Sequence, residues 1–155
     1  MTHRRARVAR IVAAERPYEI WNAFIAFVLD DPSRMTSLEQ RAASLVSRYD
    51  SEVQNGGHLQ YLSNKGIVEA REAVDGLRLI GAPRHAELLE TLLESLPGDL
   101  SGDDVSVEEY VSIALEDPHG EYDRAFYQME SLAEVLERYL EANIDAFIEF
   151  DEGGA

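Results

Sequence analysis

Apolar residues recur along this chain at intervals of three and four, and residues that begin or end helices separate one such run from the next. This spacing is typical of amphipathic α-helices, whereas a half-buried strand would alternate apolar and polar residues between turn signals. We find no segment of the second kind. The pattern predicts an all-α fold, a compact single-domain bundle of about six to eight helices that ends in a long C-terminal helix.

Helix caps and helix breakers place the individual helices. Ser37 with Gln40, or Thr36 with Glu39, makes a capping box at the start of a helix that reaches about Gln54. Glycine and proline then divide the rest of the chain. The other predicted segments, in chain order, are a basic helix or arm at Arg4–Glu15, a helix opened by Pro17, the helices His58–Ser63 and Ile67–Ile80, a helix from Pro83 to Leu96, a helix that follows the capping box of Ser106 and Glu109, and the longest helix, from Glu121 or Asp123 to Phe150.

Composition along the chain indicates one domain with two short flanking segments. We assign residues 1–16 to a basic N-terminal helix or arm, residues 17–150 to a single all-α domain and residues 151–155 to a disordered tail. A chain of 155 residues is long enough for one core that buries about two thirds of the unfolded surface.

Charge is distributed unevenly. From His85 to the last residue there are twenty Asp and Glu against Arg124 and Arg138, a net charge of −18, whereas residues 1–84 have twelve Lys and Arg against ten acids, a net charge of +2. Solubility needs a much smaller net charge, and self-repulsion on this scale opposes compaction. Because 45% of the residues are hydrophobic, the composition is not that of a disordered acidic tail. The charge favours a basic partner, or a surface that resembles a nucleic-acid backbone.

Six acidic residues are spaced by three or four along the predicted last helix: Glu130, Glu134, Glu137, Glu141, Asp145 and Glu149. At 100° per residue they share one side of a helix. Like charges at this spacing cost roughly a few tenths of a kcal/mol each, so the stripe predicts a face that a basic partner neutralises. The solvated face of an amphipathic helix is the alternative interpretation. The acids expected to extend the same surface are Asp103, Asp104, Glu108, Glu109, Glu116 and Asp117.

The most distinctive segment has the pattern Glu52-x-x-Asn55-Gly56-Gly57-x-x-Gln60-Tyr61. Glycine inside a helix costs about 1 kcal/mol relative to alanine, so we expect one glycine to need positive φ or a close backbone contact. Asn55 is expected to cap the helix that begins near Gly56. Glu52 and His58 have the side chains of a metal or acid–base site, but caps and buried hydrogen bonds around the kink are the favoured interpretation.

Several classes of activity have no signature in this sequence. It contains no cysteine, no phosphate-binding loop, no dinucleotide fingerprint and no Gly-x-Ser-x-Gly motif. We therefore predict that the protein is not an enzyme, and we assign no catalytic residue, no cofactor and no metal. The longest apolar run, Ala23–Leu29, is too short to span a bilayer, so we expect a cytoplasmic protein without membrane contact.

The Asn-Gly-Gly segment, the Gly66 turn, the step Ile80-Gly81-Ala82 and the later pair Phe126-Tyr127 resemble the DNA mimic protein 19 family. This resemblance extends over residues 42–150. It implies a compact all-α bacterial protein that forms a homodimer. It also implies a function, because the family's namesake presents carboxylates arranged like the phosphates of double-stranded DNA and binds a DNA-binding regulator.

The leading hypothesis is a non-enzymatic DNA mimic that occupies the DNA-binding surface of a basic protein or regulator. Two alternatives stay open: an immunity-type inhibitor of a toxin enzyme, and an enzyme or metal protein that uses Glu52 and His58. We do not expect direct nucleic-acid binding, because only the N-terminal arm is basic. Its arginines, Arg4, Arg5, Arg7 and Arg10, could fold against the acidic half of the same chain or against a second subunit.

Overall fold

The computed structural model describes residues 4–96 and 119–152. The elements in these residues are β1 (Ala6–Ala9), α1 (Arg10–Glu15), α2 (Tyr18–Val28), a 3-10 turn (Pro32–Arg34), α3 (Leu38–Ile80), α4 (Pro83–Ser95), α5 (His119–Gln128), α6 (Leu132–Ala142), α7 (Ile144–Phe147) and β2 (Ile148–Asp151). The all-α prediction is confirmed, since the two strands have four residues each. The helix predicted after Ser106 lies outside the described residues.

The long element α3 consists of three helical segments joined by two kinks. Gly57 (φ 82°, ψ −180°) and Gly66 (φ 85°, ψ 165°) have backbone angles that no residue of a regular helix adopts. These are the two breaks that the glycines predicted. The predicted helix end at Gly81 is also confirmed, because that residue has left-handed angles (φ 94°, ψ 32°).

The first and last segments of α3 form an antiparallel hairpin. Arg41 lies 2.7 Å from Glu72 and Arg48 lies 2.9 Å from Glu69, so residues early in the first segment face residues late in the last one. A Cβ on Gly76 would lie 3.3 Å from a backbone oxygen of the first segment, which shows how closely the two helices approach. The hairpin is the central support for the other helices.

Gln40 connects the start of α3 to both ends of the chain. The hydroxyl of Ser37 accepts a hydrogen bond from the Gln40 amide at 3.1 Å, so Ser37 rather than Thr36 caps the helix. The side chain of Gln40, which is fully buried, accepts from the Thr36 amide at 3.0 Å and donates to the carbonyl oxygens of Arg4 at 2.7 Å and Ala146 at 2.8 Å. One side chain thus holds β1 and α7 against the helix start.

The predicted single helix from Glu121 or Asp123 to Phe150 is wrong. The chain leaves the helical conformation at Ser131 (φ −59°, ψ 129°) and again at Asn143 (φ −133°, ψ 35°). The side-chain amide of Asn143 donates to the Tyr139 carbonyl at 3.0 Å, which satisfies one of the acceptors that a helix end leaves free. Apolar spacing alone did not reveal these ends.

Strands β1 and β2 join the two ends of the described chain in parallel, with Val8 opposite Phe150. Val8 and Ile148 are buried beneath the pair. Of the segment assigned as a basic helix or arm, Ala6–Ala9 thus form a strand of the fold and Arg10–Glu15 form a helix, and Asp151, assigned to the tail, lies in β2. The alternation Ile-Glu-Phe-Asp in β2 is a strand pattern that the helical interpretation overlooked.

The core lies between α2, α3, α4, α6 and α7. Phe24 packs edge-on against Phe147 with ring centres 5.0 Å apart, and Tyr49 packs in the same way against Tyr61 at 4.9 Å. Helix α6 buries one face, formed by Leu132, Val135, Leu136 and Leu140. Its opposite face is left for solvent.

Candidate functional site

The Asn-Gly-Gly segment forms a kink in α3 that α5 holds from outside. Following Gly57, the amide of His58 donates to Oδ1 of Asp123 at 2.9 Å. A Cβ on Gly57 would lie 2.5 Å from Oδ2 of Asp123, so the close approach as well as the positive φ requires glycine. Asn55, the expected cap, makes no side-chain hydrogen bond with the residues that the structure describes. Asp123, far away in sequence, has the capping role instead.

His58 links this kink to the core. The side chain is 1% exposed, its Nδ1 lies 2.7 Å from Oδ1 of Asp123, and its Nε2 lies 2.7 Å from the hydroxyl of Tyr49. Burial raises the pKa of Tyr49 well above its usual value. The hydroxyl therefore stays protonated. A neutral imidazole with its proton on Nδ1 satisfies both contacts, since Nδ1–H then donates to Asp123 and Nε2 accepts from the Tyr49 hydroxyl.

The other motif residues fill the space around the kink. Gly56 is exposed, and the side chain of Gln60 lies where its Cβ would be. Tyr61 is fully buried against Tyr49, and its hydroxyl has no hydrogen-bond partner within the described ranges. Tyr127 of α5 also donates from its hydroxyl to the Val53 carbonyl at 3.0 Å. These contacts stabilise the turn between two segments of α3.

Glu52 has partners of its own. Its Oε2 accepts hydrogen bonds from Gln60 and Asn64 at 3.0 Å each, and Nζ of Lys65 lies 3.7 Å from Oε1. Burial raises the pKa of Glu52, but the hydrogen bonds from Asn64 and Gln60 outweigh it, so the pKa is lower than usual. Glu52 and His58 therefore belong to two separate networks. Residues 4–96 and 119–152 contain no group of three or more His, Asp or Glu side chains that could hold a metal ion.

The predicted acidic stripe does not lie on one helix. The structure places Glu130 in the turn before α6, Glu134, Glu137 and Glu141 on α6, Asp145 on α7 and Glu149 on β2. The expectation of a straight row of six carboxylates is therefore wrong, because the breaks at Ser131 and Asn143 change the direction of the chain. Asp103, Asp104, Glu108, Glu109, Glu116 and Asp117 lie outside the described residues.

Two carboxylates of the predicted stripe are paired with arginines. Glu130 accepts a hydrogen bond from Arg138, which lowers the pKa of its carboxyl group. Glu149 lies 3.4 Å from Arg7 and 4.0 Å from Arg5. Much of the negative charge at both ends of the stripe is thus already neutralised within the chain.

Glu134, Glu137 and Glu141 form the part of the stripe that remains; we call these three residues the α6 acidic face. All three are exposed and none forms an ion pair with a residue in the described parts of the chain. On a helix they lie within about 60° of one another and extend over about 10 Å. Asp145 is exposed as well, and its carbonyl oxygen accepts from Arg5 at 3.2 Å.

The basic arm lies against acidic groups of its own chain. Arg4 pairs with Asp30 at 3.3 Å, Arg7 with Glu149 and Arg10 with Glu152 at 3.0 Å. The first of the two arrangements left open for the arm is therefore present in this structure. Sequence reasoning missed the partners because they follow from the pairing of β1 with β2, which brings together residues about 140 positions apart.

A family model described as DMP19-like protein matches residues 34–143, which include the kinked α3 and the whole of α6. The chain belongs to the DMP19-like protein family. This confirms the resemblance drawn from the Asn-Gly-Gly segment. The match contains the α6 acidic face but neither the arginine arm nor Asp145 and Glu149. No curated protein and no solved structure shows significant similarity to the chain.

No helix in the described ranges combines the length and the apolar character needed to cross a bilayer.

Proposed function

We propose that the protein is a non-enzymatic DNA mimic, in which the α6 acidic face occupies the DNA-binding surface of a basic DNA-binding protein. The observation that carries the proposal is that Glu134, Glu137 and Glu141 are exposed, unpaired and on one side of a helix whose other side is in the core. Membership of the DMP19-like family supports it.

The energetics of the α6 acidic face favour a basic partner. Glu134 and Glu137, and Glu137 and Glu141, lie one helical turn apart and repel one another, at a cost of roughly 0.2 to 0.5 kcal/mol for each pair. Arg138, four residues after Glu134, offsets part of this repulsion, although its hydrogen bond goes to Glu130. A partner that brings arginine or lysine to this face relieves the repulsion. Since the carboxylates are solvent-exposed, the attraction would act mainly on the rate of association and would weaken steeply with salt.

The proposed contact is centred on α6, because Glu130 and Glu149 are paired within the chain. The packing of the other side of α6 against the core supports this choice. Leu132, Val135 and Leu136 anchor the helix in the core, so the backbone positions from which the three glutamates extend are fixed.

Affinity capture from a bacterial lysate with competition by duplex DNA tests the proposal. The wild type is expected to retain basic DNA-binding proteins in 50 mM NaCl and to release them in 500 mM NaCl or when duplex DNA is added. The variant Glu134→Gln, Glu137→Gln, Glu141→Gln is expected to retain far less.

A matched control removes three charges elsewhere. Glu87, Glu94 and Glu121 are exposed and form no ion pair within the described residues, so Glu87→Gln, Glu94→Gln, Glu121→Gln should bind like the wild type. Equal loss in both triple variants, or capture that duplex DNA does not reverse, would contradict a DNA mimic. Capture of an enzyme whose activity is blocked would favour the immunity-type inhibitor.

We further propose that the protein acts in the cytoplasm as a homodimer. Sedimentation equilibrium tests the assembly, with an expected mass twice that of the 17.4 kDa chain.

A further inference from the structure

The last segment of α3, residues 67–80, has one exposed side on which large apolar residues lie. Val68 is 71% exposed and Leu79 is 52% exposed. At 100° per residue, Val68, Asp75 and Leu79 lie within about 40° of one another around the helix axis, with Arg71 beside them. We propose that these four residues, which we call the dimer face, pack antiparallel against the same face of a second copy of the chain. The proposal rests on the homodimer proposed above and names the surface through which it forms.

An open apolar groove adjoins the dimer face. It lies between the first and last segments of α3, and Leu38, which is 75% exposed, lines it together with Leu79. The buried side chains of Ala42 and Leu45 line it as well. Leu38 and Leu79 therefore form a continuous apolar surface with the groove, and removal of such a surface from water favours association.

Antiparallel packing about a twofold axis brings matching residues of the dimer face together. When the axis passes between residues 73 and 74, Val68 lies opposite Leu79 of the second copy and reaches the groove that this leucine lines. Symmetry repeats the contact in the opposite direction. In the same register Arg71 comes level with Asp75 of the second copy, to within one residue, and the twofold axis keeps both on the same side of the contact. The face is thus self-complementary in its apolar residues.

The charges of the dimer face are complementary in this register. Arg71 and Asp75 are both exposed, and neither forms an ion pair with a residue in the parts of the chain that the structure describes. Neighbouring charges do have partners, since Arg78 donates to Glu90 at 2.9 Å and Glu72 pairs across the hairpin. Each copy therefore presents one unpaired cation and one unpaired anion, and two ion pairs form across the contact.

Charge reversal tests this register. Sedimentation equilibrium of the whole chain at low ionic strength should show that Arg71→Asp and Asp75→Arg each dimerise at least about tenfold more weakly than the wild type, because two attractive pairs become repulsive. An equimolar mixture of the two variants should dimerise like the wild type. In the mixed dimer one copy supplies only carboxylates and the other only guanidinium groups, so every pair across the contact is attractive. A contact within one helix cannot produce this rescue.

Matched controls make the same charge changes elsewhere. Arg16→Asp and Glu121→Arg change exposed residues that form no ion pair within the described ranges, so both should dimerise like the wild type. Equal weakening in these controls, or a mixture of the reversed variants that stays monomeric, would overturn the proposal.

The outcome for the wild type separates this proposal from the proposed function. A monomeric wild type would contradict the homodimer itself, whereas a wild-type dimer that both reversals leave unchanged would contradict only this choice of face. None of the variants alters the α6 acidic face, so capture of a DNA-binding protein is a separate result.

A second measurement uses the absence of cysteine from the chain. A mixture of Val68→Cys and Leu79→Cys should form disulfide-linked dimers under mild oxidation, because the register places these two positions opposite each other. Val68→Cys by itself should not, since its two cysteines would lie about 16 Å apart along the helix axes at 1.5 Å per residue. Cross-linking of Val68→Cys alone, or none in the mixture, would overturn the proposal.

Discussion

Two acidic side chains of α3 pair with basic groups across the hairpin, whereas those of the α6 acidic face are exposed and form no ion pair with a described residue. Glu69 and Glu72 pair with Arg48 and Arg41 across the hairpin, and the Glu69 side chain is 17% exposed. Glu134, Glu137 and Glu141 form no such ion pair within the described structure, since Arg138 of the same helix bonds to Glu130. Glutamate therefore fixes the position of two helical segments in the α3 hairpin, whereas on α6 it forms a surface without ion pairs.

The acidic half of the sequence contains both kinds of carboxylate. Asp123 caps the kink in α3, Glu130 pairs with Arg138, and Glu149 pairs with the arm. The net charge of the segment thus overstates the charge available to a partner. Pairing within the fold, rather than the number of acids, separates a structural carboxylate from a candidate contact.

The largest expected effect concerns Asp123 and the kink. Gly57→Ala should destabilise the protein by about 1 to 3 kcal/mol more than Gly66→Ala, as measured by urea denaturation. Both glycines have φ above 80° and extended ψ, so the backbone strain is the same. A Cβ on Gly57 meets the Asp123 carboxylate, whereas nothing lies within 4 Å of a Cβ on Gly66. Equal losses of stability in the two variants would show that the Asp123 carboxylate moves away from the added methyl group at little energetic cost.

An effect of similar size compares the paired and unpaired carboxylates directly. Arg48 forms two hydrogen bonds to Glu69, at 3.0 Å and 2.9 Å. Arg48→Met should lower the free energy of unfolding by about 1.5 to 3 kcal/mol, because it leaves a half-buried carboxylate without a partner. Glu137→Gln on the α6 acidic face should change it by less than about 0.5 kcal/mol. A substantial loss of unfolding free energy in Glu137→Gln would show that the Glu137 carboxylate stabilises the fold.

The smallest effect concerns the pH dependence of stability that the buried side chain of His85 causes. His85 is 4% exposed, and burial lowers its pKa, with a hydrogen bond to the Glu130 backbone as a partial offset. As pH falls below about 6.5, the unfolded state binds a proton that the folded state does not, so stability decreases by at most about 1.4 kcal/mol per pH unit. Above that pH His85 is neutral in both the folded and the unfolded state, so stability no longer changes with pH on its account.

Comparison with His85→Leu isolates the part of the pH dependence of stability that is due to His85. The stability of the wild type relative to His85→Leu should fall between pH 7 and pH 5.5, as followed by thermal unfolding. Parallel pH profiles for the two proteins would show that His85 is not held neutral by the fold.

Much of the helical framework could be predicted because its signals are local. Ser37 caps α3 through an amide three residues away, and the glycines at 57, 66 and 81 change the direction of the chain where they stand. Such effects act over three or four residues, so they can be read from a short window. The family segment was recognisable for the same reason.

The candidate site was less predictable. The spacing of the six acids was correct for a helix, but the helix ends at Ala142, and Glu149 lies on a strand that requires β1 as its neighbour. The cap at the kink comes from Asp123, 65 residues from His58. The alternation in β2 indicates a strand but not its partner, and the residues around Asp123 show no pattern that indicates a cap.

The sequence by itself determined the helix boundaries that caps, glycines and prolines mark, and how the charge is divided between the two halves, because capping, backbone freedom and composition are properties of neighbouring residues. Only the tertiary structure decided which carboxylates are neutralised. That outcome depends on which side chains the packed helices and the parallel strands bring within about 4 Å of one another, and screened electrostatic attraction between exposed groups is too weak to determine this without the packing.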